Sequence, residues 1–301
     1  MTTGTVVIHG GAGSAIAGSR RETPVRNALR QILDELWGAL GAGDKAADIA
    51  ARGSRALEDC PQFNAGRGSK IQRDGSIRMS ASLMDGNKRS FSGVINVEQV
   101  QNPTQMATFL QSERDRVLDG QGSQRLARRM NLEIFDPIVE RRFERWVDKT
   151  RRHRLKEGAG QGRAPAAADA SSNGTVGVVV CDRRGQLAAV TSTGGRGYER
   201  VGRVSDTATV AGNYATDTAA VSCTGTGEDI IDEALAARIV VRMECGHELD
   251  DALQGSVGDA GRRERSLAAI GVDADGHMSW AKTTEALLAV GRSDGGTRWA
   301  F

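Results

Sequence analysis

Apolar positions recur with two different periods along this chain, and the period changes several times. Residues 5–8 form a short apolar run that ends in His9-Gly10-Gly11-Ala12-Gly13, which predicts a strand running into a glycine turn. Val25, Leu29, Ile32, Leu33 and Leu36 fall at helical spacing and predict a helix over about 24–40. Ala46, Ile49, Ala50 and Leu57 predict a second over about 45–58. Residues 69–72 and 76–84 read as a hairpin turning at Arg73-Asp74-Gly75, and 92–97 as a further strand. Pro103 marks a helix start, where the missing N–H costs nothing. From 113 to 154 the chain is helical in propensity and heavily charged, with Pro137 at another helix start.

Residues 157–173 lose all periodicity. Gly, Ala and Ser dominate there, the composition of a disordered linker. Strand patterns resume at once over 176–182 and 186–193, joined by Arg183-Arg184-Gly185, and again over 219–223, which runs into Thr224-Gly225-Thr226-Gly227. One long helix is predicted over 228–245 and a shorter one over 249–257. A last hairpin, 266–272 with 278–282, turns at Asp275-Gly276. Strands, then helices, then strands in both halves describe an α/β chain whose mostly antiparallel sheets are covered by helices. No fixed-period repeat is present.

Composition narrows the partners. A formal charge of +2 on 301 residues gives no reason to expect nucleic acid or a membrane. Arginines crowd residues 140–154, but Glu140, Glu144 and Asp148 are interleaved, so that stretch reads as a solvated helix face. No apolar run approaches the roughly 18 residues of a membrane span, and no secretion signal opens the chain, so a cytoplasmic protein is expected. Cys60, Cys181, Cys223 and Cys245 are too scattered for a zinc knuckle or redox pair and read as reduced thiols. The histidines, His9, His153, His247 and His277, form no metal-binding pair.

The chemistry concentrates at Asn173-Gly174-Thr175-Val176-Gly177. A Gly-Thr bond stands where the linker meets an apolar strand, which by itself reads as an ordinary loop-to-strand junction or as a bond well placed to be cut. Cutting it makes Thr175 an N-terminus, which carries a hydroxyl nucleophile and its own α-amine as base. His9-Gly10-Gly11-Ala12-Gly13 resembles a lipase oxyanion loop, yet no G-x-S-x-G elbow exists to go with it. Its glycines do not follow the dinucleotide spacing, and no phosphate-binding P-loop occurs. Thr224-Gly225-Thr226-Gly227, between a strand and a helix, can either stabilise an oxyanion or simply let Thr226 cap the helix. Arg203 and Asp206, on a glycine-bounded loop, read as a surface ion pair or as partners for a zwitterion. Asn64-Ala65-Gly66-Arg67-Gly68 reads by itself as a structural turn.

Taken together these motifs resemble one family. The His9 to Gly13 run, Phe63-Asn64-Ala65-Gly66-Arg67-Gly68, Met84-Asp85-Gly86 and Asn173 to Gly177 fit it in collinear order. So do Thr191-Ser192-Thr193-Gly194-Gly195, Gly202 to Asp206, and Ser222-Cys223-Thr224-Gly225-Thr226-Gly227-Glu228. The pattern is similar to that of the plant-type L-asparaginases, or isoaspartyl peptidases, of the N-terminal-nucleophile hydrolases. The related glycosylasparaginases are less similar, since they carry Asn at the Gly194 position.

The resemblance implies a single four-layer αββα sandwich over 1–301, cleaved by itself at Gly174–Thr175 into 1–174 and 175–301. It implies that Thr175 is the nucleophile, that Thr193 hydrogen-bonds it, and that Asn64 helps orient it. Thr224 and Gly225 would form the oxyanion hole. Arg203 would hold the substrate α-carboxylate and Asp206 the α-ammonium, with Gly225 and Gly227 lining the site. No catalytic cofactor is implied. A structural sodium ion is, held by the main-chain oxygens of Leu57, Glu58, Cys60, Phe63, Ala65 and Arg67. The expected substrates are β-aspartyl dipeptides and, more weakly, L-asparagine, and the expected assembly is a dimer of α–β heterodimers. Three stretches depart from the family: Ser80-Ala81, Arg196-Gly197-Tyr198, and Lys282-Thr283-Thr284-Glu285. Arg196 is expected near the exit of the leaving group, where it would bind the carboxylate of the dipeptide's second residue. A dedicated asparaginase and a non-catalytic amino-acid-binding module are the alternatives.

Overall fold

Strand and helix patterns are distributed so that two sheets share one apolar interface and keep helices on their outer faces. The computed structural model describes residues 3–158 and 174–301. Its first half runs β1 (Thr5–Gly13), α1 (Glu22–Gly41), α2 (Ala46–Asp59), β2 (Met79–Asp85), β3 (Ser90–Val97), α3 (Pro103–Leu110), β4 (Val117–Leu118), α4 (Gly120–Arg129) and α5 (Glu140–Gly158). The second half has β5 (Val176–Cys181), β6 (Leu187–Thr193), a 3-10 turn (Asp206–Ala208), β7 (Asn213–Ala215) and β8 (Ala219–Gly225). Then come α6 (Gly227–Glu233), α7 (Leu235–Glu244), α8 (Leu249–Arg262), β9 (Leu267–Asp273), β10 (Met278–Lys282), β11 (Ala286–Ser293) and β12 (Gly296–Ala300). The larger sheet has the order β12-β11-β1-β5-β6-β2-β3-β4 and the smaller β10-β9-β8-β7. Every pairing is antiparallel except β3 with β4.

The period of two in each strand decides which layer a residue enters. On β5, Val176, Val178 and Val180 pack under α1 and α2, while Val179 and Cys181 face the other sheet. On β9, Leu267 and Ala269 pack against α7 and α8, and Ala268, Ile270 and Val272 point between the sheets. Helix, sheet, sheet, helix is the expected αββα sandwich. The layer between the sheets is rich in small residues, including Ala189, Ala215, Ala220, Ala268 and Ala289. Each valine buried in this way contributes about 1.5–3 kcal/mol.

Several expectations are corrected. Residues 69–72 form no strand: Gln72 and Ser76 make a single turn through the Gln72 N–H to Ser76 carbonyl bond (2.8 Å), and β2 begins only at Met79. The long helix breaks at Ala234, which adopts φ +44° and ψ +43°. The break frees the amides at the start of α7, and Ala236 and Ala237 donate to the carbonyls of Ala211 and Val210 (2.8 and 3.1 Å). The charged stretch contains two helices, with α5 starting after Pro137 rather than at it. Helix α5 is not solvated all round, because Arg142 is 5% exposed and donates to the Gly68 carbonyl (2.7 Å). The linker prediction for 157–173 falls almost wholly on residues 159–173, outside those described.

Candidate active site

Three hydroxyls meet where strands of the two sheets end. Thr175 directly precedes β5, Thr193 is the last residue of β6, and Thr224 stands near the end of β8 in the smaller sheet. The ladder that pairs Val176 with Ser192 brings the first two together. The Thr175 hydroxyl donates to Thr193 Oγ1 at 3.2 Å, and the Gly195 N–H donates to the same oxygen at 3.2 Å. The Thr224 hydroxyl donates to the Thr175 carbonyl at 3.4 Å and accepts the Ala12 N–H at 3.2 Å. All three threonines are 5% exposed or less. Thr226 occupies the N-cap of α6 without a side-chain capping bond.

Asn64 is buried, but its bonds run to the loop beside Thr175. Its Nδ2 donates to the Gly195 carbonyl (2.7 Å), its Oδ1 accepts the Lys70 N–H (2.9 Å), and its own carbonyl accepts the Gly194 N–H (2.9 Å). It therefore bears on Thr175 through residues 193–195.

Among the described residues, no titratable base bonds to the Thr175 hydroxyl. His9 stands on β1 opposite Gly177 of β5, with Nε2 2.9 Å from Ser222 Oγ, which is 2.7 Å from Thr191 Oγ1. Full burial drives its imidazole down to about 3, so it is neutral at working pH. The arrangement suits a nucleophile that supplies its own base once its amine is free, since an α-amine titrates near 8.

Charged residues form the other half of the site. Arg203 and Asp206 are not a surface pair: their side chains are 12% and 3% exposed. The Arg203 guanidinium meets Glu228 through Nε and Nη2 (2.8 and 3.0 Å) and Glu199 through Nη1 (3.2 Å). Asp206 Oδ2 is buried and has no hydrogen-bond partner among the described residues. Burial raises its carboxyl to about 6 against the opposing pull of Arg203. A buried acceptor without a donor is costly in a folded protein, and an ammonium group would satisfy it. Gly227 begins α6 between these two side chains. A Cβ there would lie 2.6 Å from Arg203 Nη2 and 2.7 Å from Asp206 Oδ1, so any side chain would displace one or both groups. Gly225 ends β8 with φ +135°. Arg196 is 40% exposed, and its Nη1 lies 3.8 Å from Glu228 Oε1, placing it beside the Arg203 group.

The 57–67 loop offers neutral main-chain oxygens, a donor set that suits a hard cation. The Glu58 carbonyl accepts the Arg67 N–H (2.8 Å), that of Cys60 the Phe63 N–H (3.3 Å), and that of Phe63 the Arg142 guanidinium (3.4 Å). Each keeps a second lone pair. The Glu58 side chain turns away from the loop and accepts from Thr104 and Ser192 (both hydroxyls at 2.6 Å). Burial pushes that carboxyl up to about 7.

Sequence reasoning gave no role to Glu199 or to the Glu228 side chain. For Glu199 a signal existed, because it precedes Arg203 by four residues. What four residues mean in an irregular loop depends on how the loop folds.

Comparison with known proteins agrees with this geometry. The chain matches the asparaginase family over residues 2–299. It is 47% identical over 286 residues to an isoaspartyl peptidase/L-asparaginase of Nostoc sp., covering 94% of this chain and 90% of the relative. It is 32% identical to a plant-type L-asparaginase of Thermococcus kodakarensis, covering 96% of each chain. It is 36% identical to an isoaspartyl peptidase of Salmonella typhimurium, covering 82% of this chain and 80% of the relative. With its two-sheet sandwich, its threonine cluster and a match along almost its whole length, this chain belongs to the asparaginase family.

Proposed function

We propose that this protein is a self-processing threonine hydrolase that releases L-aspartate from β-aspartyl dipeptides and hydrolyses L-asparagine more slowly. The observation that carries the reading is the Thr175 hydroxyl, bonded to Thr193 at 3.2 Å in the residue directly after Gly174. In processing, Thr175 Oγ1 attacks the Gly174 carbonyl carbon, the C–N bond breaks to free the Thr175 amine, and water hydrolyses the resulting ester to release the Gly174 carboxylate and the Thr175 hydroxyl. In turnover that amine takes the hydroxyl proton as Oγ1 attacks the substrate β-carbonyl, and it passes the proton to the departing amine. Water then releases L-aspartate from the ester. Thr224 and the Gly225 N–H would stabilise the oxyanion, a contribution of about 3 kcal/mol per donor in comparable sites.

Arg203 and Asp206 give a physical reason for β-linkage. A β-aspartyl residue keeps its α-carboxylate and α-ammonium free, and these would meet the Arg203 guanidinium and the buried Asp206 carboxylate, whose Oδ1 faces Gly227. The names of the Nostoc, Thermococcus and Salmonella relatives support the same chemistry. The proposal extends to a structural sodium ion on the 57–67 carbonyls, a dimer of α–β heterodimers and a cytoplasmic setting, for which the four unpaired cysteines speak. No helix among the described residues is long and apolar enough to cross a membrane.

The test combines intact-mass analysis with an aspartate-release assay. Two pieces, 1–174 and 175–301, together with aspartate release from a β-aspartyl dipeptide are expected. An active enzyme that remains one uncut chain would overturn the N-terminal-nucleophile reading.

A further inference from the structure

Glu199 stands between the two halves of the site and bonds to both. Its Oε2 accepts the Arg196 N–H at 2.6 Å and Arg203 Nη1 at 3.2 Å, while Oε1 accepts Gln72 Nε2 at 3.0 Å. Gln72 cannot turn its amide over freely, because its Oε1 accepts Arg78 Nη1 at 2.6 Å. The side chain is 2% exposed, so these bonds form out of solvent. Arg196 belongs to the loop whose Gly195 N–H holds Thr193 Oγ1. One carboxylate oxygen is therefore shared by the nucleophile's loop and the guanidinium assigned to the substrate carboxylate.

The backbone is bent to bring this about. Gly195, Gly197 and Gly202 have φ of +76°, +79° and +83°, and the non-glycine Tyr198 is held at +54°. A left-handed tyrosine is strained, and such strain persists only where its surroundings fix it. Here the Tyr198 N–H donates to the Ile71 carbonyl (2.8 Å), and the ring stacks on His153 of α5 at 4.5 Å. The result points Glu199 inward. Gly195 leaves it room, since a Cβ at that position would come within 2.1 Å of Glu199 Oε1.

We infer that Glu199 is a positioning residue that sets the separation between the nucleophile's loop and Arg203, and so registers the substrate β-carbonyl against Thr175. The inference rests on the β-aspartyl reading above. Its consequence is a division of effects. Self-cleavage uses the nucleophile's loop and has no α-carboxylate to bind, so it does not need the Glu199–Arg203 contact. Turnover needs both. A fixed geometry of this kind governs rate strongly, since a 1 Å misplacement costs on the order of a hundredfold.

The test uses Glu199→Gln, Arg203→Lys and the double variant, each followed by intact mass, thermal midpoint and kinetics on a β-aspartyl dipeptide. The glutamine oxygen still accepts the Arg196 N–H but no longer carries the charge that holds Arg203. Glu199→Gln is expected to cut itself like the wild type while its KM rises about tenfold or more, with a smaller fall in kcat. In the Arg203→Lys background the same change should add less than about threefold, because the two side chains act as a unit. An unchanged KM, or effects that multiply in the double variant, would overturn the inference. So would a parallel loss of self-cleavage, turnover and thermal midpoint, which marks a merely structural residue. If Glu199→Gln does not accumulate as folded protein, Gln72→Met probes the same line by removing the donor to Oε1. A raised KM with intact cleavage then supports the inference, and an unchanged KM overturns it. Wild-type enzyme run alongside separates the two readings, because failure to release aspartate from the dipeptide refutes the function itself.

Discussion

Thr175, Thr193 and Thr224 stand at strand ends, where ladders on both sheets fix their positions. Arg203, Asp206, Glu199 and Glu228 come instead from a loop, a 3-10 turn and the first turn of a helix, and Arg203 ties Glu199 and Glu228 together through side-chain bonds. The first group is neutral and rests on backbone geometry; the second is charged and centres on Arg203. In the proposed mechanism, bond-making chemistry would thereby sit at the ends of paired strands, and recognition would sit where side chains can be exchanged without disturbing a sheet. Damage to the first group should strike cleavage and turnover alike, and damage to the second should strike turnover alone.

The most severe test of that division is Thr175→Ala, which should leave an uncut chain with no hydrolase activity, by mass and by aspartate release. Arg203→Lys comes next. It keeps the charge and loses the fork, and a charge-assisted bond of about 1.5–3 kcal/mol corresponds to roughly one to two decades in kcat/KM. Its self-cleavage should proceed normally, and a block there would dissolve the distinction between the two groups. Asp206 adds a pH signature. Its carboxyl is raised to about 6, so in the free enzyme the anion that would hold the substrate ammonium disappears as pH falls through that value. The dipeptide kcat/KM, already falling about tenfold per pH unit as the Thr175 amine protonates below about 8, should therefore steepen to about a hundredfold per unit below 6. Asp206→Asn should be slow at every pH and keep the amine limb while losing the steepening below 6; a steepening that survives the substitution belongs to another group. The smallest effect is expected for Arg196→Met. The Arg196 side chain is 40% exposed and 3.8 Å from Glu228, so an interaction of no more than about 1 kcal/mol is appropriate. The preference for β-aspartyl dipeptides over asparagine should shrink by up to about fivefold, measured as a ratio of kcat/KM values.

Legibility in the sequence followed the same division. Helices α1 and α2 and the β5–β6 hairpin were readable because long periodic runs and a glycine turn agree locally. Thr175 could be located because the linker ends and an apolar strand begins beside it. The break at Ala234 was invisible, since alanine is the best helix former and the cause lies in the Ala211 and Val210 carbonyls of another segment. Strand β11 escaped because a continuous apolar run such as Ala286-Leu287-Leu288-Ala289-Val290 does not declare its period. Glu199 escaped for a related reason: its meaning arises only when Gln72, Arg196 and Arg203 are folded onto it.

The strand order of the larger sheet bears on what self-cleavage would do to the molecule. On either side of Gly174–Thr175 the chain supplies alternate blocks of that sheet, with β11 against β1, β1 against β5, and β6 against β2. A cut leaves these seams zipped, so the two pieces stay together as one folded body. It does change the unfolded state, which becomes two free chains instead of one. Recovery from heat would then require two molecules to meet, and the apparent melting temperature would come to depend on protein concentration. The uncut Thr175→Ala chain would melt with a weaker dependence on dilution, because only the contact between protomers would contribute to it. Maturation in this architecture would therefore be a one-way passage, activating the enzyme while removing the covalent memory by which it first folded.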